Sequence, residues 1–456
     1  MSAALAPASA LQRLQGLARE LAARDAWPRE QLLAHQREAL RAVLDHATDS
    51  SPYYREALGR DASSRPLHEL PTLPKQTLVE QWDRIVCDRE LRLAEVEAHV
   101  AGPSAIEPFR GRYRVFSTSG SSGMRGLFVF GPEEWETWVA LHLRMFMRVG
   151  LRPGTRLAPI GAPGASHLTR QLFAAFRAGR DGAPQLSVLT PLDETIDALN
   201  TYEPEAILGY PSVAGLLAGE QLAGRLHIAP RLAMFGAEPT TADLRSRFEA
   251  AWGLRPGNIY GSTEVPTIAS STPEHPDALE MWEDAAVVEV VDDQDRPVAP
   301  GQTGSKVLVT TLLNRAMPLI RYEMTDRVTL GMGPNRAGRP WACIECIDGR
   351  SADTIRLPAG EGGEVDVLPY GLGEPFARIP AVRQFQIVWD GARMETRVVL
   401  AGGAPAATTT RVEAELHETL AAAGAVPPPI DVRVVDALQR EPGAAAKLKL
   451  IKSVAP

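Results

Sequence analysis

The chain has few cysteines, no excess of basic residues and no long apolar run. Three cysteines in 456 residues cannot form a disulfide framework and favour a reducing compartment. Lys and Arg number 48 against 56 Asp and Glu, giving a net charge of −8. This balance argues against a nucleic-acid partner, because duplex binding rests on cations that neutralise phosphates. No uninterrupted apolar stretch of about 18 residues occurs, so we expect no membrane span.

The remaining composition is that of an ordinary globular protein, with 45% apolar and 23% charged residues. The first residues lack the positive start and the continuous apolar segment of a signal peptide. We therefore expect a cytoplasmic protein whose partners are small molecules. The sequence leaves open whether the chain forms a homodimer.

The apolar pattern changes along the chain. Leucines spaced three and four apart predict helices over residues 11–59. From residue 113, short apolar runs such as Leu127–Phe130 and Ala206–Leu208 alternate with helical stretches such as Glu133–Val149. This alternation predicts an α/β fold with crossover connections, and residues 281–330 read as a β-rich subdomain.

The predicted architecture has two domains. A large N-terminal α/β domain with mixed sheets covers residues 1–349. A small, mobile α+β domain covers residues 350–456, where two strands, a helix and a last strand follow one another. Before these elements, Ala359–Asp366 reads as a loop rich in glycine and acidic residues.

A loop dense in hydroxyls and glycines follows a strand-like run at Tyr113–Phe116. Residues 117–123 contain five hydroxyls and two glycines. Such a loop can direct backbone N–H groups at a polyphosphate. It lacks the Gly-Lys-Ser/Thr ending of P-loop NTPases. A flexible turn is the alternative, but the run Leu127–Phe130 predicts a second strand directly after the loop.

This loop resembles a motif of a known family. Thr118 to Gly126 is similar to the Thr-Ser-Gly-Thr-Thr-Gly-Lys-Pro-Thr loop of the adenylate-forming enzymes (acyl-CoA synthetases, adenylation domains and luciferases), in particular the phenylacetate–coenzyme A ligase-like branch. Met124 stands where the family has its lysine, and Arg125 is a candidate substitute. Further matches follow in family order: Gly236–Pro239, Tyr260–Glu264, Asp326, Gly349–Arg350 and Lys447.

The resemblance implies a site for ATP, Mg²⁺ and an acid. The implied ATP-binding residues are Thr118, Ser119, Gly120, Ser121, Ser122, Gly123, Gly236, Ala237, Glu238, Pro239, Tyr260, Gly261, Ser262, Asp326 and Arg350. Thr263 is expected to meet a phosphate, and Glu264 to ligate Mg²⁺. Lys447 is expected to bridge the attacking carboxylate and the α-phosphate, with Lys449 as the alternative. Candidates for the substrate pocket are His167, Tyr210, Phe235 and Ala237.

The implied reaction joins a small carboxylic acid, expected to be aromatic, to AMP with release of pyrophosphate. Coenzyme A is the family's usual acceptor. Glu361, Glu364 and Asp366 place acids where the thiol arm is expected, and Ala352 replaces the family's hinge aspartate. These departures keep open an amide or ester synthetase with a small amine or hydroxyl acceptor. Met124, Ala352 and Ala446 also keep open a non-catalytic nucleotide-binding regulator.

Two cysteines form the only metal-like motif. Cys343 and Cys346 fit Cys-x-x-Cys, but two thiolates fill half of a tetrahedral zinc site. His275 is the one nearby candidate for a further ligand. We expect two strand cysteines rather than a zinc centre.

Overall fold

The structure is a computed structural model with a mixed α/β fold, as predicted. It describes residues 7–453 except 119–124, 153, 178–181, 239, 334, 336–337, 351–353, 361, 368–371, 374, 377, 380 and 442–445. Within these residues, no helix combines the length and apolarity that a bilayer crossing requires.

The N-terminal segment is helical, as the leucine spacing predicts. Ser51 separates two of its helices: its hydroxyl accepts a hydrogen bond from the Tyr54 amide at 3.3 Å, and Pro52 lies in the first turn. The helices are α1 (Pro7–Ala23), α2 (Arg29–Ser50), α3 (Pro52–Leu58), α4 (Lys75–Glu80), α5 (Trp82–Ile85) and α6 (Leu93–Ala101).

The Ser/Gly-rich loop connects the two strands of an antiparallel hairpin. Strand β1 (Arg114–Ser117) pairs with β2 (Leu127–Phe130), so Ser117 lies opposite Leu127. Every residue of β2 is buried. The predicted strand at Leu127–Phe130 is therefore confirmed, and the hairpin fixes both ends of the loop.

A large sheet forms the centre of the molecule. Five of its strands are parallel, and most of their residues are apolar and buried, as expected for strands covered on both faces. They are β3 (Leu157–Gly161), β4 (Leu186–Ser187), β5 (Ala206–Gly209), β6 (Leu232–Gly236) and β7 (Gly257–Tyr260). The helices between and around them are α7 (Pro132–Arg148), α8 (Leu168–Arg177), α9 (Leu192–Tyr202), α10 (Pro211–Leu222) and α11 (Ala242–Trp252).

Antiparallel strands extend this sheet. They are β8 (Ala269–Thr272), β9 (His275–Met281), β13 (Asp326–Leu330) and β14 (Cys343–Arg350). Within the described ranges, the strand order is β13-β14-β9-β8-β7-β6-β5-β3-β4. A separate antiparallel sheet joins β10 (Ala286–Val291), β11 (Lys306–Thr311) and β12 (Tyr322–Met324), in the region predicted to be β-rich.

The C-terminal part has its own sheet and its own apolar cluster. Its four-stranded sheet has the order β19-β18-β17-β20, with a helix between β18 and β19. The buried apolar residues of this part run from Ile355 to Ile451 and form a cluster separate from those of the large sheet. The elements are β17 (Val382–Trp389), β18 (Met394–Leu400), α12 (Thr408–Ala422), β19 (Ile430–Val434) and β20 (Ile451–Ser453).

The expectation of a simple loop at Ala359–Asp366 is wrong. Glu364 begins β16 (Glu364–Val367), which pairs with β15 (Ile355–Pro358) as an antiparallel hairpin. Gly362 and Gly363 turn the chain at φ +92° and +85°, conformations that glycine adopts without steric cost. The division of the chain at residues 349 and 350 stays a prediction, which the separate apolar cluster supports.

Candidate active site

The ends of the phosphate-loop candidate are joined by hydrogen bonds. The Thr118 amide donates to the Gly126 carbonyl at 3.0 Å, and the Gly126 amide donates to the Thr118 hydroxyl at 2.8 Å. A Cβ on Gly126 would lie 2.9 Å from the Phe128 ring, so the close approach requires glycine. Arg125 donates to the Ser117 hydroxyl at 3.0 Å. The predicted residues Ser119, Gly120, Ser121, Ser122 and Gly123 lie outside the described residues, as does Pro239.

Two adjacent parallel strands end in the next predicted motifs. Strand β6 ends at Gly236 and is followed by Ala237, whose φ of +68° is a left-handed conformation rare for alanine. Strand β7 ends at Tyr260. A Cβ on the following Gly261 would lie 2.4 Å from the Pro266 carbonyl oxygen. Both motifs therefore lie at the carboxyl edge of the parallel strands, where open α/β sheets bind ligands.

The turn that follows β7 buries the side chain of Glu264. The Ser262 amide donates to the Val265 carbonyl at 2.9 Å, and the Ser262 hydroxyl accepts from the Val265 amide at 3.1 Å. Thr263 is half-buried within this turn, and Glu264 is buried. The Tyr322 hydroxyl donates to Glu264 Oε1 at 3.3 Å. One carboxylate oxygen is thus held by the protein, and Oε2 accepts no hydrogen bond from the described residues.

Asp326 and Arg350 face each other across two strands. They are paired residues of the antiparallel strands β13 and β14, and Arg350 Nε lies 3.5 Å from Asp326 Oδ1. Tyr260 is close to this pair, as the effect of the Asp326 and Arg350 charges on its hydroxyl indicates. Burial, followed by the charge of Asp326, raises the pKa of Tyr260 well above its usual value. The predicted base-stacking and ribose-binding residues are therefore neighbours.

Lys447 reaches this same group from the C-terminal part. It is half-buried, and the charges of Arg350, Glu238, Glu264 and Asp326 act on its ammonium. Burial lowers the pKa of the Lys447 ammonium. Arg350 lowers it further, and the three carboxylates oppose that shift. The charges of three carboxylates and one arginine from the predicted ATP and Mg²⁺ site thus act on one ammonium.

Lys449, the alternative, lies in another environment. Its carbonyl accepts a hydrogen bond from the Gln386 side chain at 2.9 Å, and its ammonium acts on Lys452 of β20. The geometry therefore favours Lys447 over Lys449 as the lysine of the site.

Lys75 is a site neighbour that the sequence reasoning did not select. It begins α4, and its nearest charges are Glu264 and Arg350. Burial lowers the pKa of its ammonium, and Glu264 opposes that shift. The preceding Leu73 fixes it there: the Leu73 amide donates to the Arg321 carbonyl at 2.9 Å, and its carbonyl accepts from the Glu323 amide at 3.1 Å. The sequence Pro74-Lys75 indicates the start of a helix. It does not indicate that Lys75 comes close to Glu264, which lies 189 residues further along the chain.

The four pocket candidates have different surroundings. His167 is buried, and burial followed by the charge of Lys447 lowers its pKa to about 3, so the ring is neutral at pH 7. Its Nδ1 accepts from the Thr169 amide at 3.2 Å, which assigns the ring proton to Nε2. The Tyr210 hydroxyl is buried and has no hydrogen-bond partner among the described residues, although Thr169 is near enough to affect its pKa.

The other two candidates differ in exposure. Phe235 packs edge-on against Phe248 of α11, with ring centroids 5.2 Å apart, so its ring belongs to the core behind β6. Ala237 is exposed at the strand end. His167 and Tyr210 are therefore the candidates that offer polar groups to a ligand.

Cys343 and Cys346 do not converge. Cys343 Sγ lies 3.7 Å from His275 Nδ1, whereas Cys346 donates to Asp348 at 2.9 Å. Burial raises the pKa of the Cys343 thiol to about 11 and that of Cys346 to about 12, so both are protonated at neutral pH. The part of the chain that the structure describes holds no cluster of three or more metal-ligating side chains.

Comparison with known proteins finds relatives in sequence and in fold. No protein-family profile matches the chain. The phenylacetate–coenzyme A ligase of Thermus thermophilus is 27% identical over 378 residues, covering 79% of each chain. The enzyme of the same name from Pseudomonas putida is 28% identical over 362 residues, covering 76% of each chain.

A solved 2-hydroxyisobutyryl-CoA ligase has a similar fold. In its postadenylation state it matches with a TM-score of 0.76 at 20% identity, over 95% of this chain and 91% of that one. In its thioesterification state the TM-score is 0.61 over the same shares. Over most of its length the chain is thus similar in sequence and in fold to ligases of the adenylate-forming superfamily. Within the superfamily it is similar to the phenylacetate–coenzyme A ligases.

Proposed function

We propose that the protein activates a small aromatic carboxylic acid with ATP, forming an acyl-AMP and releasing pyrophosphate, and then transfers the acyl group to coenzyme A. The observation that carries this proposal is the placement of the Lys447 ammonium among Glu264, Asp326 and Arg350. The similarity to named phenylacetate–coenzyme A ligases supports the choice of acid and acceptor.

The site supplies charge where the reaction needs it. A carboxylate and ATP are both anions, and positive groups fixed between them offset their repulsion and the charge that develops on the phosphorus. In this proposal Lys447 contacts the attacking carboxylate, and Lys75 contacts the phosphates. Asp326 accepts hydrogen bonds from ribose hydroxyls, and Arg350 holds that carboxylate in place.

Mg²⁺ fits the donor set. This ion usually takes one or two protein carboxylates together with substrate phosphates and water. Glu264 presents one buried carboxylate whose Oε2 accepts no hydrogen bond from the part of the chain that the structure describes. When bound, the ion would neutralise phosphate charge. Thr263, in the turn that carries Glu264, is expected to donate to a phosphate oxygen.

The acidic hairpin gives little reason to reject coenzyme A. Arg356 Nε on β15 lies 3.2 Å from Asp366 and 3.9 Å from Glu364, so one cation offsets two of the three acids. Arg356, Glu364 and Asp366 are exposed, where solvent and salt weaken their field. Coenzyme A therefore remains the proposed acceptor.

The test is acid-dependent exchange of labelled pyrophosphate into ATP across a panel of aryl and alkyl acids. We expect exchange with at least one aryl acid and faster AMP release when coenzyme A is added. Exchange that coenzyme A does not accelerate, but an amine or alcohol does, would favour the amide or ester synthetase. No exchange with any acid, together with ATP uptake in calorimetry, would favour the non-catalytic regulator.

A further inference from the structure

One buried carboxylate joins the large sheet to the segment that carries Lys447. Glu238 Oε2 accepts from the Ser212 amide at the start of α10, at 3.0 Å. Glu238 Oε1 accepts from the Leu448 amide at 2.8 Å. The Glu238 carboxylate therefore binds two backbone amides: one at the N-terminus of α10, and that of Leu448, the residue after Lys447.

Arg440 connects the same two surfaces. Its Nη2 donates to the Ser212 hydroxyl at 3.1 Å, and its Nη1 donates to the Ala446 carbonyl at 3.1 Å. Nη1 also lies 3.7 Å from Glu238 Oε1. The Arg440 side chain is 15% exposed and that of Glu238 is 4% exposed, so solvent screens this pair weakly.

These contacts fix the backbone on both sides of Lys447. Arg440 holds the carbonyl of Ala446, the Glu441 amide donates to the carbonyl of Lys447 at 2.9 Å, and Glu238 holds the amide of Leu448. Ala446 has a φ of +44°, a conformation that costs alanine free energy and so needs support from its surroundings.

Apolar packing alone does not hold this segment. An open cleft of about 560 Å³ adjoins it, lined by Val188, Leu189, Leu438–Glu441 and Ala446. Ala446 contributes a single small side chain to the apolar cluster of the parallel strands. The polar contacts of Arg440 and Glu238 therefore add to the burial of Ala446 and Leu448 in restraining the backbone on both sides of Lys447.

We propose that Arg440, together with Glu238, is a positioning residue that holds Lys447 in place for adenylation and has no part in the later acyl transfer. This inference rests on the proposed function, since it assigns Arg440 a role through Lys447. Once the anhydride has formed, the attacking carboxylate no longer exists. Arg440 should therefore matter for the first half-reaction only.

The test compares Arg440→Ala with Lys447→Ala and with the double variant. We expect Arg440→Ala to lower the kcat of pyrophosphate exchange by about 10- to 100-fold, with little change in the KM for ATP. The double variant should be no slower than Lys447→Ala, because a residue that acts through Lys447 has no further effect once Lys447 is absent. Arg440→Lys should restore little, because an ammonium lacks the fork that reaches Ser212 and Ala446 together.

Two further measurements separate positioning from loss of folding. Thioester formation from supplied acyl-AMP should stay within about twofold of wild type in Arg440→Ala, because only adenylation uses Lys447. The Leu448 amide should exchange its hydrogen faster in this variant, since its segment loses a restraint. Arg433→Ala is the matched control: Arg433 is an exposed arginine of β19 that pairs with Asp431, and its loss should change none of these quantities.

The outcomes distinguish the two proposals. A wild-type protein that shows no exchange with any acid would refute the proposed function and this role with it. An active wild type with an unimpaired Arg440→Ala would refute the positioning role alone. Equal losses in both half-reactions, or a double variant much slower than Lys447→Ala, would likewise refute it.

Discussion

Replacement of Lys447 by alanine is the most informative single perturbation of the site. The substitution removes an ammonium on which the charges of Glu238, Glu264 and Asp326 act, and it leaves Lys75, Arg350 and Arg440 as the cations near these carboxylates. Losing one preorganised charge contact at a reacting centre typically slows the chemical step by about 100-fold or more, equivalent to about 2.7 kcal/mol of transition-state stabilisation. We therefore expect adenylation in Lys447→Ala to fall by at least ~100-fold.

The assay is pyrophosphate exchange at saturating acid, with ATP binding followed separately by calorimetry. Lys449→Ala is the matched control, because it removes the same group two residues away, near Lys452. It should retain near-normal exchange. Unchanged exchange in Lys447→Ala combined with loss of exchange in Lys449→Ala would refute the assignment and show that the motif is shifted by two residues.

Three further predictions follow from the charges and from burial. Lys75→Ala should raise the KM for ATP roughly 10-fold in the exchange assay, because it removes a charged contact near Glu264; an unchanged KM would exclude Lys75 from the nucleotide site. Burial and Arg350 hold the pKa of Lys447 below 10.5, so exchange should fall with rising pH at a midpoint below that value; an alkaline decline that persists unchanged in Lys447→Arg would have another origin. Burial lowers the pKa of His142 to about 4. As the pH falls through 6.5, the imidazole of His142 therefore becomes protonated in the unfolded chain but stays neutral in the native protein. The stability contribution is therefore present above pH 6.5 and should decrease by about 2 kcal/mol by pH 5 in urea unfolding, a dependence that His142→Asn should lack.

The parallel strands could be predicted because burial on both faces leaves a clear pattern. Runs such as Ala206–Leu208 are apolar throughout, and helical stretches of ordinary length separate them, so both strand and crossover were readable. The hairpin of β15 and β16 was not readable. Its strands carry exposed acids and an arginine on one face. The glycine-rich turn between them has the same composition as an irregular loop, so the sequence does not distinguish the two.

The order of the motifs predicted most of the candidate site, because Gly236, Tyr260, Asp326 and Arg350 each lie at a strand end. Contacts between distant segments could not be predicted. Lys75 lies where the charge of Glu264 acts on it because Leu73 pairs with Tyr322, the first residue of β12. The Glu238 carboxylate binds the backbone amide of Leu448, 210 residues away. Because nearly every residue has a backbone amide, the sequence does not indicate which one a carboxylate binds.

The account depends most on Glu264, Asp326, Arg350 and Lys447 surrounding one nucleotide. A crystal structure of the protein with ATP and an aryl acid tests this directly. We expect the ribose hydroxyls at Asp326 and the α-phosphate within hydrogen-bond distance of the Lys447 ammonium. ATP bound elsewhere, with Lys447 directed away from its phosphates, would contradict the account.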